Sequence, residues 1–480
     1  MGLLTRKSLK DLQGPRDEEG LHLKRAMTTT DLLLFGIGAV IGAGLFSITG
    51  IAAAENAGPA IVIAFIFAAI GCAFAGLCYS ELATMIPISG SAYTYAYASM
   101  GELPAWMIGW TLILEYAIGS ATVAVSWSAY VVSFLHDFGI YLPINLVASP
   151  WQAVHLPDGG VGQGMFNFPA LLIVTAISLL LIRGIKQSSL VNIIMVTIKV
   201  TTVLVFIAVG AFYVNTDNLV PFIPENTGEF GHFGWSGILR ATGVLFFAYV
   251  GFDAISTISM EAKNPQKSLP KAILGALFVC TLLYVLFSLV MTGLVNYKEL
   301  DVAAPVALAI SYTPFPWLQL LIKLAILSGL TSVMLVLLLG QSRIFYVMAC
   351  DGLLPKYFAT LHKSYSTPWL ANLILMVFVG LIASFAPISL IGHMTSIGTL
   401  CAFAMVCAGV IVLRYTHPEF PRPFRAPFFP YVPLLGMGTC LTMMVALDVE
   451  SWLRLLIWLG VGLVIYFTYS RRHSKIKMKN

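Results

Sequence analysis

Twelve apolar runs divide the chain. They lie at about 32–52, 60–83, 102–135, 167–186, 189–213, 236–262, 270–296, 316–349, 368–386, 389–414, 430–447 and 451–470. Each is near or above the ~20 residues that a helix needs to cross the hydrocarbon of a bilayer. A span in lipid must satisfy its own backbone N–H and C=O groups, and a helix does this within one segment. The runs therefore predict an all-α integral membrane protein with twelve transmembrane helices. Composition agrees, with 58% hydrophobic and 10% charged residues, against about 25% charged in a soluble domain. The third and eighth runs are long enough for tilted helices. The gap at 387–388 and the proline-rich 417–433 punctuate the later spans. All seven cysteines fall in or beside apolar runs, so no disulfide framework is expected.

Lysine and arginine set the orientation. The polar segment 1–30 carries Arg6, Lys7, Lys10, Arg16, Lys24 and Arg25. It is too long and too charged for a secretory signal peptide and reads as a cytoplasmic tail. With the N-terminus inside, the inner loops and the C-terminal tail hold almost all the remaining loop cations, from Arg183 through Lys263, Arg343 and Arg414 to Lys479. The outer loops hold Lys298 and Arg454 beside Asp137, Asp158, Asp217, Glu225 and Glu229. This bias supports an even number of spans with both tails in the cytoplasm. It also accounts for the net charge of +5 without a nucleic-acid partner. The expected partition is a tail (1–30), a transport core (31–415), two further spans (416–470) and a second tail (471–480). No sizeable extramembrane domain remains to house an enzyme. The eight histidines show no His-x-x-x-His spacing, so no metal site is expected.

Two spans are anomalous. Gly36-Ile37-Gly38-Ala39-Val40-Ile41-Gly42-Ala43-Gly44 places four glycines in nine residues of the first run, each costing a helix about 1 kcal/mol relative to alanine. Glycine lets a helix open and lets other groups approach the backbone closely. One reading is a ligand site made of main-chain groups. The other is close helix packing through Gly38 and Gly42. The sixth run holds Thr242-Gly243-Val244-Leu245-Phe246-Phe247-Ala248-Tyr249-Val250-Gly251-Phe252-Asp253, with glycines, aromatics and an acid in the span. Interrupted spans at matching places in two halves point to a midplane site. Half-helix N-termini suit a carboxylate, and unwound carbonyls suit an ammonium. Phe247 or a neighbouring aromatic is the candidate lid.

Ionisable residues within spans are few: Glu115, Lys199, Asp253 and Lys323, with Arg240 and Glu81 near span ends. Each costs on the order of 3 kcal/mol at mid-bilayer. Lys199 lies midway along the fifth run, too deep for easy snorkelling. Taking an ammonium out of water favours its neutral form, which makes Lys199 a candidate proton carrier. The alternatives are a structural ion pair with Glu115 or Asp253, or bonds to backbone carbonyls. Lys323 and Arg240 read as snorkelling outward.

Several segments together resemble one family. They are 38–46 in the first span, Tyr79-Ser80-Glu81-Leu82-Ala83 and Pro87-Ile88-Ser89-Gly90-Ser91-Ala92-Tyr93 around the second span's inner end, and Phe247–Asp253 with Lys263-Asn264-Pro265. Arg343-Ile344-Phe345-Tyr346 through Asp351-Gly352-Leu353-Leu354-Pro355 and Arg422-Pro423-Phe424-Arg425-Ala426-Pro427 follow. In this order, over most of the chain, they resemble the amino acid–polyamine–organocation superfamily, and within it the bacterial relatives of the cationic amino acid transporters. The resemblance implies a LeuT-type, five-plus-five inverted repeat with two added C-terminal helices and alternating access. It places the substrate carboxylate on N–H groups of Gly42, Ala43 and Gly44, in the turn that includes Ile41. It places the amino group near carbonyls of Val40, Phe247, Ala248 and Val250. Asp253 joins this set, and Glu115 becomes the candidate for a cationic side chain or a structural partner. Lys199 matches the lysine of proton-coupled members, whose ammonium reaches the unwound part of span 1.

Two departures stand out. Ala43 replaces a frequent Ser or Thr, leaving only the main chain to hold a carboxylate. Met260-Glu261 replaces a frequent pair of acids. The loop 136–166 has no cysteine, so no disulfide-linked heavy chain is expected. A small single-span subunit is compatible but not predicted. The resulting expectation is a proton-coupled amino acid symporter of the cell membrane that works in uptake. Its partners are an amino acid and the lipid bilayer, and it needs no cofactor beyond the proton. An exchanger of cationic or neutral amino acids is the alternative, a non-transporting receptor on the same fold the second. Sodium coupling through Thr331 and Ser332 ranks below these, because Lys199 would repel a second cation there.

Overall fold

The structure is a computed structural model that describes residues 27–86, 91–150, 152–155, 161–183, 189–257, 259, 262–302, 304–362, 365 and 367–475. The tail before residue 27, residues 87–90 of the second motif, and Met260 and Glu261 lie outside the described residues. Among the described residues the fold is helical, apart from a short hairpin pairing Ala153–His155 with Val161–Gln163.

The first span starts at Thr29–Val40 and resumes through Gly44–Ile48, Thr49–Ala52 and Ala53–Ala57. Thr28 caps it: its hydroxyl accepts from the Asp31 N–H, and the Asp31 carboxylate accepts from the Thr28 N–H at 2.8 Å. This reciprocal pair satisfies two donors that no helical turn can reach. The apolar chain from Thr29 to Met85 covers 57 residues. It is folded into two passes at Gly58, whose φ of +58° suits glycine, followed by Pro59. Span 2 is Ile61–Met85 and span 3 Glu102–Asp137. Spans 4 and 5 are Phe168–Arg183 and Ser189–Gly210. Span 6 runs as Gly234–Leu245, Phe246–Tyr249 and Ala254–Thr257. Spans 7 and 8 are Pro265–Leu294 and Pro316–Cys350, spans 9 and 10 Trp369–Phe385 and Ile388–Thr416. Tyr431–Ala446 and Val449–Ile465 are spans 11 and 12, the last continuing through Tyr466–Ser470. The third and eighth are unbroken helices of 36 and 35 residues, as their run lengths require. Pro265 and Pro316 open spans 7 and 8, at helix positions where a missing N–H costs nothing.

The order of packing carries the repeat. Span 2 lies along span 7, span 3 along span 8 and span 4 along span 9. Spans 2, 3 and 4 thus each pack against the element five spans later, whereas span 5 packs on spans 1, 7 and 8. Spans 1 and 6 meet at their breaks. Two short helices precede the long spans: Ser91–Ser99 before span 3, and Pro305–Ser311 before span 8. Ser91–Ser99 is buried along its whole length.

Candidate functional site

The first helix ends at Val40. Ile41 turns extended, with its N–H still bonded to the Ile37 carbonyl at 3.0 Å. The Gly42 carbonyl then accepts from the N–H groups of Leu45 and Phe46, both at 3.1 Å, and a second half-helix begins. Gly42, Ala43 and Gly44 form its opening. First-turn N–H groups have no partner within their own helix and sit at its positive end. In span 6 the helix tightens into the turn Phe246–Tyr249, and Gly251 takes φ +118° before Ala254 resumes the helix.

The two breaks cross at backbone distance. A Cβ on Gly44 would lie 2.3 Å from Ala248 Cα, and one on Gly251 would lie 2.8 Å from the Ala39 carbonyl carbon. The contact is reciprocal between the halves. The helix opens at 41–42, and the close backbone approach falls at Gly44 and Gly251 rather than at the expected Gly38 and Gly42.

Side chains occupy several freed carbonyls. Lys199 Nζ donates to the Gly38 carbonyl at 2.7 Å. The lysine is buried, and its alkyl stem lies 3.1–3.2 Å from where a Cβ on Gly329 would sit. No described acid pairs with it, so of the weighed alternatives the carbonyl bond is the one formed. The hydroxyl of Tyr284 in span 7 lies 2.9 Å from both the Val40 and Ala248 carbonyls, which share its single proton. It thereby ties the two breaks together. The Phe247 carbonyl accepts from the Val250 N–H at 3.1 Å. Thr331 and Ser332 turn their hydroxyls onto carbonyls of their own helix, Leu327 at 2.7 Å and Gly329 at 3.0 Å.

Asp253 is fully buried and already engaged. One carboxylate oxygen accepts from the Tyr116 hydroxyl at 2.9 Å, the other from the Gly251 N–H at 3.2 Å. Glu115 is also buried, and neither of its oxygens has hydrogen-bond geometry with a described residue. Span 10 faces it at Gly398 and Thr399. Lys323 reaches outward but into a partner, Asp137 at 2.7 Å, and the Ser133 carbonyl at 3.1 Å. Arg240 lies against Gly231 of an outer loop.

Span 3 touches both breaks. Near one end, the Ser126 and Ser47 hydroxyls share a short bond, and Tyr130 donates to the Phe46 carbonyl. Further towards its start, Tyr116 holds Asp253. Ile41, Ala43, Phe247 and Val250 are all buried, so both breaks are shut off from solvent. Tyr284, Tyr116, Ser126 and Tyr130 carry none of the glycine or charge signals by which the other residues were found. Their only trace in the sequence is a hydroxyl inside an apolar run.

The chain matches the family model described as amino acid permease over residues 27–466. It is 43% identical over 478 residues to the branched-chain amino acid permease BcaP of Bacillus subtilis (strain 168), covering 99% of each chain. It is 42% identical over 472 residues to the methylthioribose transporter of the same organism, covering 98% of each. A vacuolar cationic amino acid transporter 4 of Arabidopsis thaliana is 34% identical over 417 residues, 87% of this chain and 68% of that one. These relatives are permeases and transporters, not enzymes. The chain belongs to the amino acid permease family, within the amino acid–polyamine–organocation superfamily.

Proposed function

We propose that this permease takes up amino acids across the cell membrane by proton symport and alternating access, with both termini in the cytoplasm. The bond from Lys199 Nζ to the Gly38 carbonyl carries this reading. A protonated Lys199 places a positive charge on the last turn of the inner half of span 1, as a bound cation would. Loss of the proton removes that charge and loosens the inner half. Substrate carboxylate is read onto the N–H groups of Gly42, Ala43 and Gly44, and substrate ammonium towards Val40, Phe247, Ala248 and Val250. Asp253 acts through Tyr116 and Gly251 rather than on the substrate.

The substrate proposed is a neutral amino acid with an apolar side chain, as the name of the BcaP relative suggests. Val333 faces Gly42, with its methyl carbons 3.2–3.3 Å from a Cβ built there, and Phe247 and Val250 line the other break. The methylthioribose relative has nearly the same identity, so methylthioribose uptake is the second reading. The test uses purified protein in liposomes with labelled leucine, alanine, arginine and methylthioribose, an imposed pH gradient and a counterflow arm. Symport predicts accumulation that needs an inward proton gradient, and a Lys199→Ala protein that keeps counterflow but no longer accumulates substrate. Accumulation that ignores the gradient but needs substrate on the far side makes the protein an exchanger. Binding without passage makes it a receptor. Uptake confined to methylthioribose overturns the amino acid assignment.

A further inference from the structure

One face of the last described stretch of the chain is buried. Span 12 continues through Tyr466–Ser470 into Arg471–His473, and Tyr466, Ser470 and Ser474 are all fully buried, while Arg471, Arg472, His473 and Lys475 between and beyond them are exposed. The segment seats in a notch on the inner face. Glu102, in the first turn of span 3, accepts from the Tyr466 hydroxyl at 2.9 Å and forms a short bond with the Ser474 hydroxyl. Ser470 donates to the Leu353 carbonyl at 2.6 Å, and the Lys475 N–H to the Asp351 carbonyl at 3.1 Å. The fit is close: a Cβ on Gly352 would meet the His473 carbonyl oxygen at 2.2 Å.

The same two acidic residues also hold the buried helix Ser91–Ser99. Tyr97 donates to Glu102 at 3.2 Å and Tyr93 to Asp351 at 2.8 Å. That helix lies beneath the break in span 6. Its Tyr95 stacks edge-on with Tyr79, which stacks in turn with Phe252, next to Asp253. We propose that the C-terminal segment 466–475 is a strap that braces the Ser91–Ser99 helix through Glu102 and Asp351, and that its undocking loosens the inner closure of the transport site. Tail and short helix share the Glu102 carboxylate and meet at Asp351, the tail on its main-chain carbonyl and Tyr93 on its side chain, so release of one leaves the other with a less constrained partner.

The test is hydrogen–deuterium exchange of the full chain in liposomes, with Ser474→Asp and Ser474→Ala compared to wild type. An aspartate at 474 sets a second carboxylate against Glu102 and undocks the tail. Alanine removes one bond, and it serves where the aspartate variant does not fold. The expected result is about tenfold faster exchange in 466–475, the effect of losing one hydrogen bond to a charged group, together with faster exchange in 91–99. Counterflow of the variant should change in rate with little change in half-saturation. Faster exchange in 466–475 with 91–99 unchanged overturns the bracing. Unchanged exchange in 466–475 overturns the strap itself. Neither result depends on which substrate or ion is carried.

Discussion

At 2.7 Å from the Gly38 carbonyl, the Lys199 ammonium holds a group that an unbroken helix would have used itself. It was legible in the sequence because a lysine deep in a span is expensive. Tyr284, which bridges the Val40 and Ala248 carbonyls, was not, since a phenol in an apolar run costs little and looks like packing. The two nonetheless do related work. Replacing Tyr284 with Phe leaves both carbonyls without that donor. We expect a loss of about 1–3 kcal/mol of stability, read as a lower thermal midpoint in detergent, and an unchanged midpoint would show that the bridge is dispensable. Glycines at the crossing are stricter. A Gly44→Ala methyl lands 2.3 Å from Ala248 Cα, a backbone atom that cannot rotate aside. Overpacking of this kind costs about 1–3 kcal/mol, and here it also forces the two breaks apart. Uptake should fall at least tenfold while protein level in the membrane is kept. Gly42→Ala meets only the Val333 side chain, at 3.2 Å, and should lose less. Equal losses at 42 and 44 would overturn the ranking.

At the scale of elements, span 3 is one unbroken helix that holds both breaks. Ser126 and Tyr130 hold the second half of span 1, the outer closure in the proposed orientation, and Tyr116 holds the second half of span 6, the inner closure, through Asp253. Run length foretold an unbroken third span, and glycine content foretold breaks in the first and sixth. The partners across the breaks could not be foretold, because each bond joins residues far apart in the chain, 137 positions for Tyr116 and Asp253. Single substitutions should tilt the molecule in opposite directions. Tyr116→Phe removes a donor from a buried carboxylate, weakening the inner closure by about 1–3 kcal/mol, or roughly fivefold to 150-fold in population. Tyr130→Phe weakens the outer closure. Membrane-impermeant maleimide applied from each side, with cysteine placed at Ser256 or at Ala52, reads the two populations. Tyr116→Phe should speed labelling at 256 from the inside, and Tyr130→Phe should speed labelling at 52 from the outside. A shift in the same direction for both variants would mean that span 3 does not separate the gates.

For the whole molecule, the separate motif segments turn out to be contacts. Tyr93, from the segment after span 2, meets Asp351, from the segment after span 8. Glu81, from the second span, meets the last turns of span 10 and the loop that follows it. Its oxygens accept from Arg414 Nε at 2.9 Å and from the Ala426 N–H at 2.8 Å, and Arg422 lies at 3.5 Å. A single sequence shows such segments only in order. That a buried acid and a loop arginine answer each other becomes visible when spans 2 and 10 lie side by side. The clasp ties span 2 and the end of span 10 to the stretch leading to span 11, through the Ala426 N–H. It is fully built, with Glu81 buried and its charge matched. Removing one partner from a buried pair costs about 3–5 kcal/mol, because the other charge stays behind, whereas replacing both with apolar residues of similar volume is often nearly neutral. Glu81→Leu should therefore lower the thermal midpoint sharply. Glu81→Leu together with Arg414→Met should recover much of the loss, less the part due to Ala426 and Arg422. If the double variant is as unstable as the sum of the singles, the residues act independently, and the tryptophan pair between spans 3 and 12 counts for more than the clasp. Trp110 and Trp458 each donate to the other's carbonyl at 2.8 Å, and Trp458→Phe should then cost more than Glu81→Leu.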